Sequence, residues 1–186
     1  MRAWALAAAV AAMALAGGGA AASERLQVPQ MAGWKVVVNV ADRSGEATEL
    51  IPASETAEGW TRRTTVQAFR GSPLTVPDFL EQLVQRTAAV CEGATAGPAS
   101  LGAVGGAQAG TRTVACGRYK GDGRGSFSLF LVIRGKEALY VIGRLWRGEP
   151  FNPSQMPISA AELQEWSDFV GAIDLCDGRD PNRPCR

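Results

Sequence analysis

The chain contains no histidine. That absence removes the imidazole base on which Ser-His-Asp and Cys-His nucleophile systems depend, and with it the commonest neutral metal ligand. Cysteine is scarce, four in 186 residues, and no two stand in a C-x-x-C pair. A tetrahedral zinc site therefore has neither the spacing nor the imidazole to build from. An excess of charge of one sign is missing too. Lysine and arginine number 19 against 18 aspartate and glutamate, and removing Arg2 with the leader described below leaves 18 of each. Such balance lacks the basic surplus that marks chains drawn to nucleic acid or to anionic membrane. The longest apolar run, Ala3 to Ala16, ends in three glycines and falls short of the roughly 20 residues of a spanning helix.

That run has another reading. Arg2 is a positive n-region, Ala3 to Ala16 an apolar h-region, and Ala20-Ala21-Ala22 a small-residue cleavage site before Ser23. This is the pattern of a secretory signal peptide over residues 1–22. The first cysteine is Cys91, so none is placed to carry a lipoprotein anchor. The expected mature chain, residues 23–186, is a single domain, periplasmic or secreted, with no integral membrane segment after cleavage. In that compartment four cysteines read as two disulfides with three possible connectivities. Nearest-neighbour pairing, Cys91 with Cys116 and Cys176 with Cys185, needs the least topology. The chain-entropy model assigns about 3.5 kcal/mol to the first loop and about 2.7 kcal/mol to the second, as upper figures.

The stretch with the strongest pattern is Ser126 to Arg147, S-F-S-L-F-L-V-I-R, then G-K-E, then A-L-Y-V-I-G-R-L-W-R. It predicts two strands rich in β-branched and aromatic residues, joined by a tight turn. A three-residue loop of Gly135, Lys136 and Glu137 sets Ile133 opposite Leu139, Leu131 opposite Val141 and Phe127 opposite Leu145, a wholly apolar face. A two-residue turn beginning at Gly135 sets Arg134 opposite Glu137 instead. The first register segregates the faces and is the expected one. Either way both faces are largely apolar, so this hairpin belongs in the middle of a covered sheet.

Around it, strands are expected over Gly33–Ala41, Glu46–Ile51, Trp60–Phe69 and Thr111–Tyr119, the last turning back through Gly121-Asp-Gly-Arg-Gly125. A helix is expected from Pro77 to Val90, with Thr75 as N-cap and Asp78 near the positive end of the dipole. A second begins after Ser159, where Glu162 completes S-x-x-E. Residues 92–110 hold six glycines and six alanines, bury little, and read as a mobile loop. The tail from Asp174 is rich in turn residues and requires a disulfide to close it. The order β-β-β-α-β-β-β-α predicts an α+β domain, a mostly antiparallel sheet of about six strands with two packed helices. This element order resembles the Mog1/PsbP-like family, which includes small exported bacterial proteins and photosystem accessory subunits. W-T-R-R-T-T-V-Q-A-F at Trp60 to Phe69 and V-G-A-I-D-L-C-D at Val170 to Asp177 resemble short exported proteobacterial proteins of uncharacterised function. Those resemblances imply fold and compartment, and no activity.

Among residues that carry chemistry, Glu46, Glu49, Asp78, Glu81 and Asp122 are the candidates for a two-carboxylate hydrolase, though all fall on predicted turns, strand edges or solvated helix faces. The glycines of Gly121–Gly125 precede a strand rather than a helix and lack the lysine of a phosphate-cradling loop. Asp174, Asp177 and Asp180 miss the spacing of a calcium loop. Arg62, Arg63, Arg144 and Arg147 near Trp60 and Trp146 offer a basic-aromatic surface for an anionic polymer or a partner protein; the competing arrangement buries both tryptophans and lets the arginines snorkel. The functional expectation is a non-catalytic exported binding or accessory protein, with an envelope protein or glycan as partner and no cofactor or metal. The alternatives are a secreted inhibitor acting through the 92–110 loop and the two-carboxylate hydrolase.

Overall fold

A computed structural model describes residues 24–185. The signal peptide expected over residues 1–22 lies outside the described residues. In chain order the elements are β1 (Glu24–Gln27), β2 (Trp34–Ala41), β3 (Gly45–Pro52), β4 (Arg62–Arg70), α1 (Val76–Val90), β5 (Cys91–Ala96), β6 (Ser100–Val104), β7 (Ala107–Tyr119), β8 (Gly125–Arg134), β9 (Ala138–Gly148), α2 (Ala160–Gly171) and β10 (Asp174–Asp177). The fold is α+β. One sheet of eight strands runs β2-β3-β4-β9-β8-β7-β5 with β6 also paired to β7, and β1 pairs β10 in a separate ribbon. All pairings are antiparallel.

The sheet has more strands than the six expected, and the gain lies in residues 92–110. That segment is not a free loop. Gly105 and Gly106 both adopt positive φ, 53° and 73°, and turn β6 back onto β7 with Val104 opposite Ala107. A two-residue hairpin turn of this kind favours glycine at both central positions. The small side chains bury little apolar area, yet β7 is 13 residues long and supplies backbone partners to β5 and β6 in succession. The protruding loop required by the inhibitor reading is therefore strand. Both disulfides pair as nearest neighbours, Cys91–Cys116 and Cys176–Cys185, with Cα atoms 5.5 and 4.9 Å apart.

The central hairpin forms where expected, but in a different register. Arg134 lies opposite Leu139, Ile133 opposite Tyr140, Val132 opposite Val141 and Leu131 opposite Ile142. The turn is Lys136-Glu137, closed by the Gly135 N–H donating to the Ala138 carbonyl at 3.0 Å. A carboxylate from β1 decides it: Glu24 accepts the backbone N–H groups of Lys136 and Glu137, each at 3.0 Å. The one-residue slip turns every β9 side chain to the other face. Leu129, Leu131 and Ile133 thus share a core with Tyr140, Ile142 and the α2 residues Trp166 and Val170. Val132, Leu139 and Val141 share the opposite core with Val76, Phe79 and Leu80 of α1. The sheet is sandwiched, one helix to a face. Both helices start as the sequence indicates, with Thr75 and Ser159 accepting from the N–H groups of Asp78 and Glu162.

Opposite faces make a sharp prediction. Leu131→Ala and Leu139→Ala each remove a buried side chain and are each expected to cost about 2–5 kcal/mol in urea melts. Because the two side chains sit in separate cores, the double variant should lose their sum to within about 0.5 kcal/mol. Strong coupling between them would place both in one core and overturn the register.

Candidate functional site

The six basic and aromatic residues singled out in the sequence gather at the β4–β9 seam but divide between its two faces. Pairing sets Arg62 opposite Trp146, Arg63 opposite Leu145 and Thr64 opposite Arg144. Arg62, Arg144 and Trp146 therefore share the α2 face, while Arg63 and Arg147 lie on the other. On that other side Trp60 is only 8% exposed and is sandwiched between two guanidinium groups, Arg63 at 4.1 Å and Arg147 at 4.3 Å from its ring centre. Arg63 also pairs with Glu49 at 2.7 Å, and Arg147 approaches Asp122 at 3.8 Å while donating to the Glu58 carbonyl at 2.7 Å. Burial, and then the neighbouring Arg124, draw the Arg147 pKa below its ordinary value.

On the α2 face, Arg62 is clasped by Glu162, the residue at the third position of α2. Trp146 packs edge-on against Phe151, with ring centres 5.6 Å apart. Arg144 is the unusual one. It is 9% exposed and lies between rings of Trp34, Phe169 and Trp166, at 4.9, 5.0 and 5.7 Å. Its Nη1 donates to Thr64 Oγ1 at 3.1 Å and approaches Met31 Sδ at 3.6 Å, while its Nε is buried without an acceptor among the described residues. Burial pulls its pKa down to about 10, against the raising influence of Glu162 and Glu165, so it stays charged at neutral pH.

Beside this cation runs an open groove of about 740 Å³. Its floor is the α2-side face of β3 and β4, where the pairing sets Thr48 opposite Val66 and Leu50 opposite Thr64. Its far wall is the connection from β1 to β2, Val28-Pro-Gln-Met-Ala32. The composition is that of a small-molecule site, mostly apolar with a few polar groups. A second recess of about 370 Å³ shares Thr48 and Val66 with it and leads toward Glu24, Glu137 and Tyr140. Burial there raises the Tyr140 hydroxyl pKa, with Glu24 adding to the effect.

The carboxylates considered for hydrolysis are held by separate partners. Glu46 lies 4.0 Å from Arg70, Glu49 pairs with Arg63, Glu81 pairs with Arg112 at 2.9 Å, Asp122 approaches Arg147, and Asp78 accepts from the Thr75 hydroxyl. Among the described residues, no group of three or more cysteines or carboxylates is placed to hold a metal ion. Sequence reasoning missed Met31, Trp34, Leu50, Thr64 and Phe169. The one available signal was Arg144 itself, a charge inside the apolar run V-I-G-R-L-W.

No protein-family model matches the chain, and no curated protein matches it. Among solved structures it is similar to PA94, a protein of unknown function from Pseudomonas aeruginosa, at 11% identity and a TM-score of 0.45, covering 73% of this chain and 94% of that one. It is also similar to LpqN of Mycobacterium tuberculosis, described as involved in cell envelope biogenesis, at 12% identity and a TM-score of 0.43, covering 85% and 87%.

The two faces of the seam should respond differently to mutation. Trp60→Ala removes a buried aromatic and strips the ring from two guanidinium groups, an expected loss of about 3–5 kcal/mol. Arg62→Ala removes a partly exposed ion pair and should cost about 1 kcal/mol or less. Equilibrium urea unfolding of the two variants measures the contrast, and comparable losses would contradict the burial described.

Proposed function

We propose that this is an exported, non-catalytic binding or accessory protein of the bacterial envelope, and that it acts through the groove between the β1–β2 connection and the outer strands of the sheet. The observation that carries the reading is the groove itself, a largely apolar surface two of whose lining residues, Thr64 and Met31, are the partners of the buried Arg144 guanidinium. Export is supported by the n-, h- and c-region pattern of residues 1–22 and by two paired disulfides, which persist in oxidising compartments. Among the described residues no helix is long and apolar enough to cross a membrane. The absence of histidine and the dispersal of the carboxylates favour binding over hydrolysis.

Two measurements on protein recovered from the periplasm test this. Intact mass should place the N-terminus at Ser23, within about two residues of the expected cleavage site; a full-length, membrane-embedded product would sink the export claim. Native mass spectrometry should show a co-purifying small molecule that is lost from Leu50→Asp, a variant that charges the groove floor. A wild-type protein carrying no adduct, or an adduct retained in the variant, would remove the groove from the function.

A further inference from the structure

We infer that the groove binds a single-chain aliphatic carboxylate, such as a free fatty acid, with the carboxylate on Arg144 and the chain along Leu50, Val66, Val28 and Pro29. The inference rests on the binding function proposed above and adds the chemistry of the ligand. Among the described residues, Arg144 is the one arginine of the seam group with no carboxylate within 4.0 Å: Arg62, Arg63 and Arg147 have Glu162, Glu49 and Asp122. Glu162 and Glu165 of α2 influence it only at longer range, and Glu162 is already occupied by Arg62.

A guanidinium withdrawn from water without a counterion is costly. The rings of Trp34, Phe169 and Trp166 offset part of that cost by cation–π attraction but bring no negative charge; the Nε has no acceptor among the described residues, as is also true of Arg63 and Arg147. The charge lies one hydrogen bond from the groove, because both Nη1 partners, Thr64 and Met31, belong to its lining. A planar monoanion matches the fork of an arginine, and a short charge-assisted contact in a desolvated site is the strong kind. The lining itself is apolar apart from Thr48, Thr64 and Gln30, which suits an acyl tail, and it holds no cation that could join Arg144 on a dianionic head. A fatty acid esterified through its carboxyl group no longer carries the acyl carboxylate this site selects. The groove volume lies in the range of sites that enclose ligands of this size.

The test is calorimetric titration of the disulfide-intact mature protein, stripped of bound apolar material, with decanoate, decanol and decyl phosphate. Trp34 and Trp166 flank Arg144, so their fluorescence gives an independent readout. Decanoate should bind about tenfold or more tightly than decanol, the difference made by one charge-assisted contact. Arg144→Met should lower decanoate to the decanol level and leave decanol unchanged, while Arg144→Lys restores part of the preference. If Arg144→Met does not fold, the decanoate-to-decanol ratio of the wild-type protein and of Thr64→Val decides the matter. Equal affinity for decanoate and decanol would overturn the carboxylate anchor while leaving the groove as a binding site. Tighter binding of decyl phosphate than of decanoate would overturn the carboxylate class. Binding of neither decanoate nor decanol would overturn the inference; the groove function falls with it only when the periplasmic protein also carries no adduct.

Discussion

A sheet buried on both faces by different helices leaves its central strands no freedom of register. Each residue of β8 and β9 must point into one core or the other, and a slip by one position exchanges the two sets of side chains. Here the constraint is met by a contact distant in sequence. The Glu24 carboxylate, itself buried, accepts both N–H groups of the Lys136-Glu137 turn. Its strand is held in turn by β10, with Glu24 opposite Asp177, and Lys136 Nζ reaches Asp177 Oδ2 at 3.2 Å. The β1–β10 ribbon thus acts as a clamp on the turn of the central hairpin, and the Cys176–Cys185 disulfide closes the tail just beyond it.

The candidate site follows from that register. With Leu129 opposite Arg144 and Leu131 opposite Ile142, Arg144 is delivered to the α2 face, among Trp34, Trp166 and Phe169. In the slipped register it would have faced the α1 side, away from Thr64 and Met31. The same antiparallel pairing carries Thr64, Leu50 and the alternate residues of β3 and β4 onto that face. There they are roofed by the β1–β2 connection instead of by a helix. A cation beside an incompletely covered apolar surface is the product of these two facts, and neither is local.

By itself the sequence determined a good deal. Alternation and β-branching placed β2, β3, β4, β8 and β9, and the caps at Thr75 and Ser159 placed both helices, because these signals act within a few residues of the chain. The pairing of four cysteines between nearest neighbours was legible for the same reason. The tertiary structure alone decided the rest. The small-residue segment 92–110 became strand because β7 offered it backbone partners, although its Gly105-Gly106 pair carried the turn signal. The hairpin register was decided by Glu24, more than a hundred residues away, and the division of the basic-aromatic group into two faces by which strand lies beside which. Side-chain burial depends on what covers a residue, and for Arg144 the covering groups come from β2, from α2 and from the connection before β2. No spacing along the chain encodes their convergence.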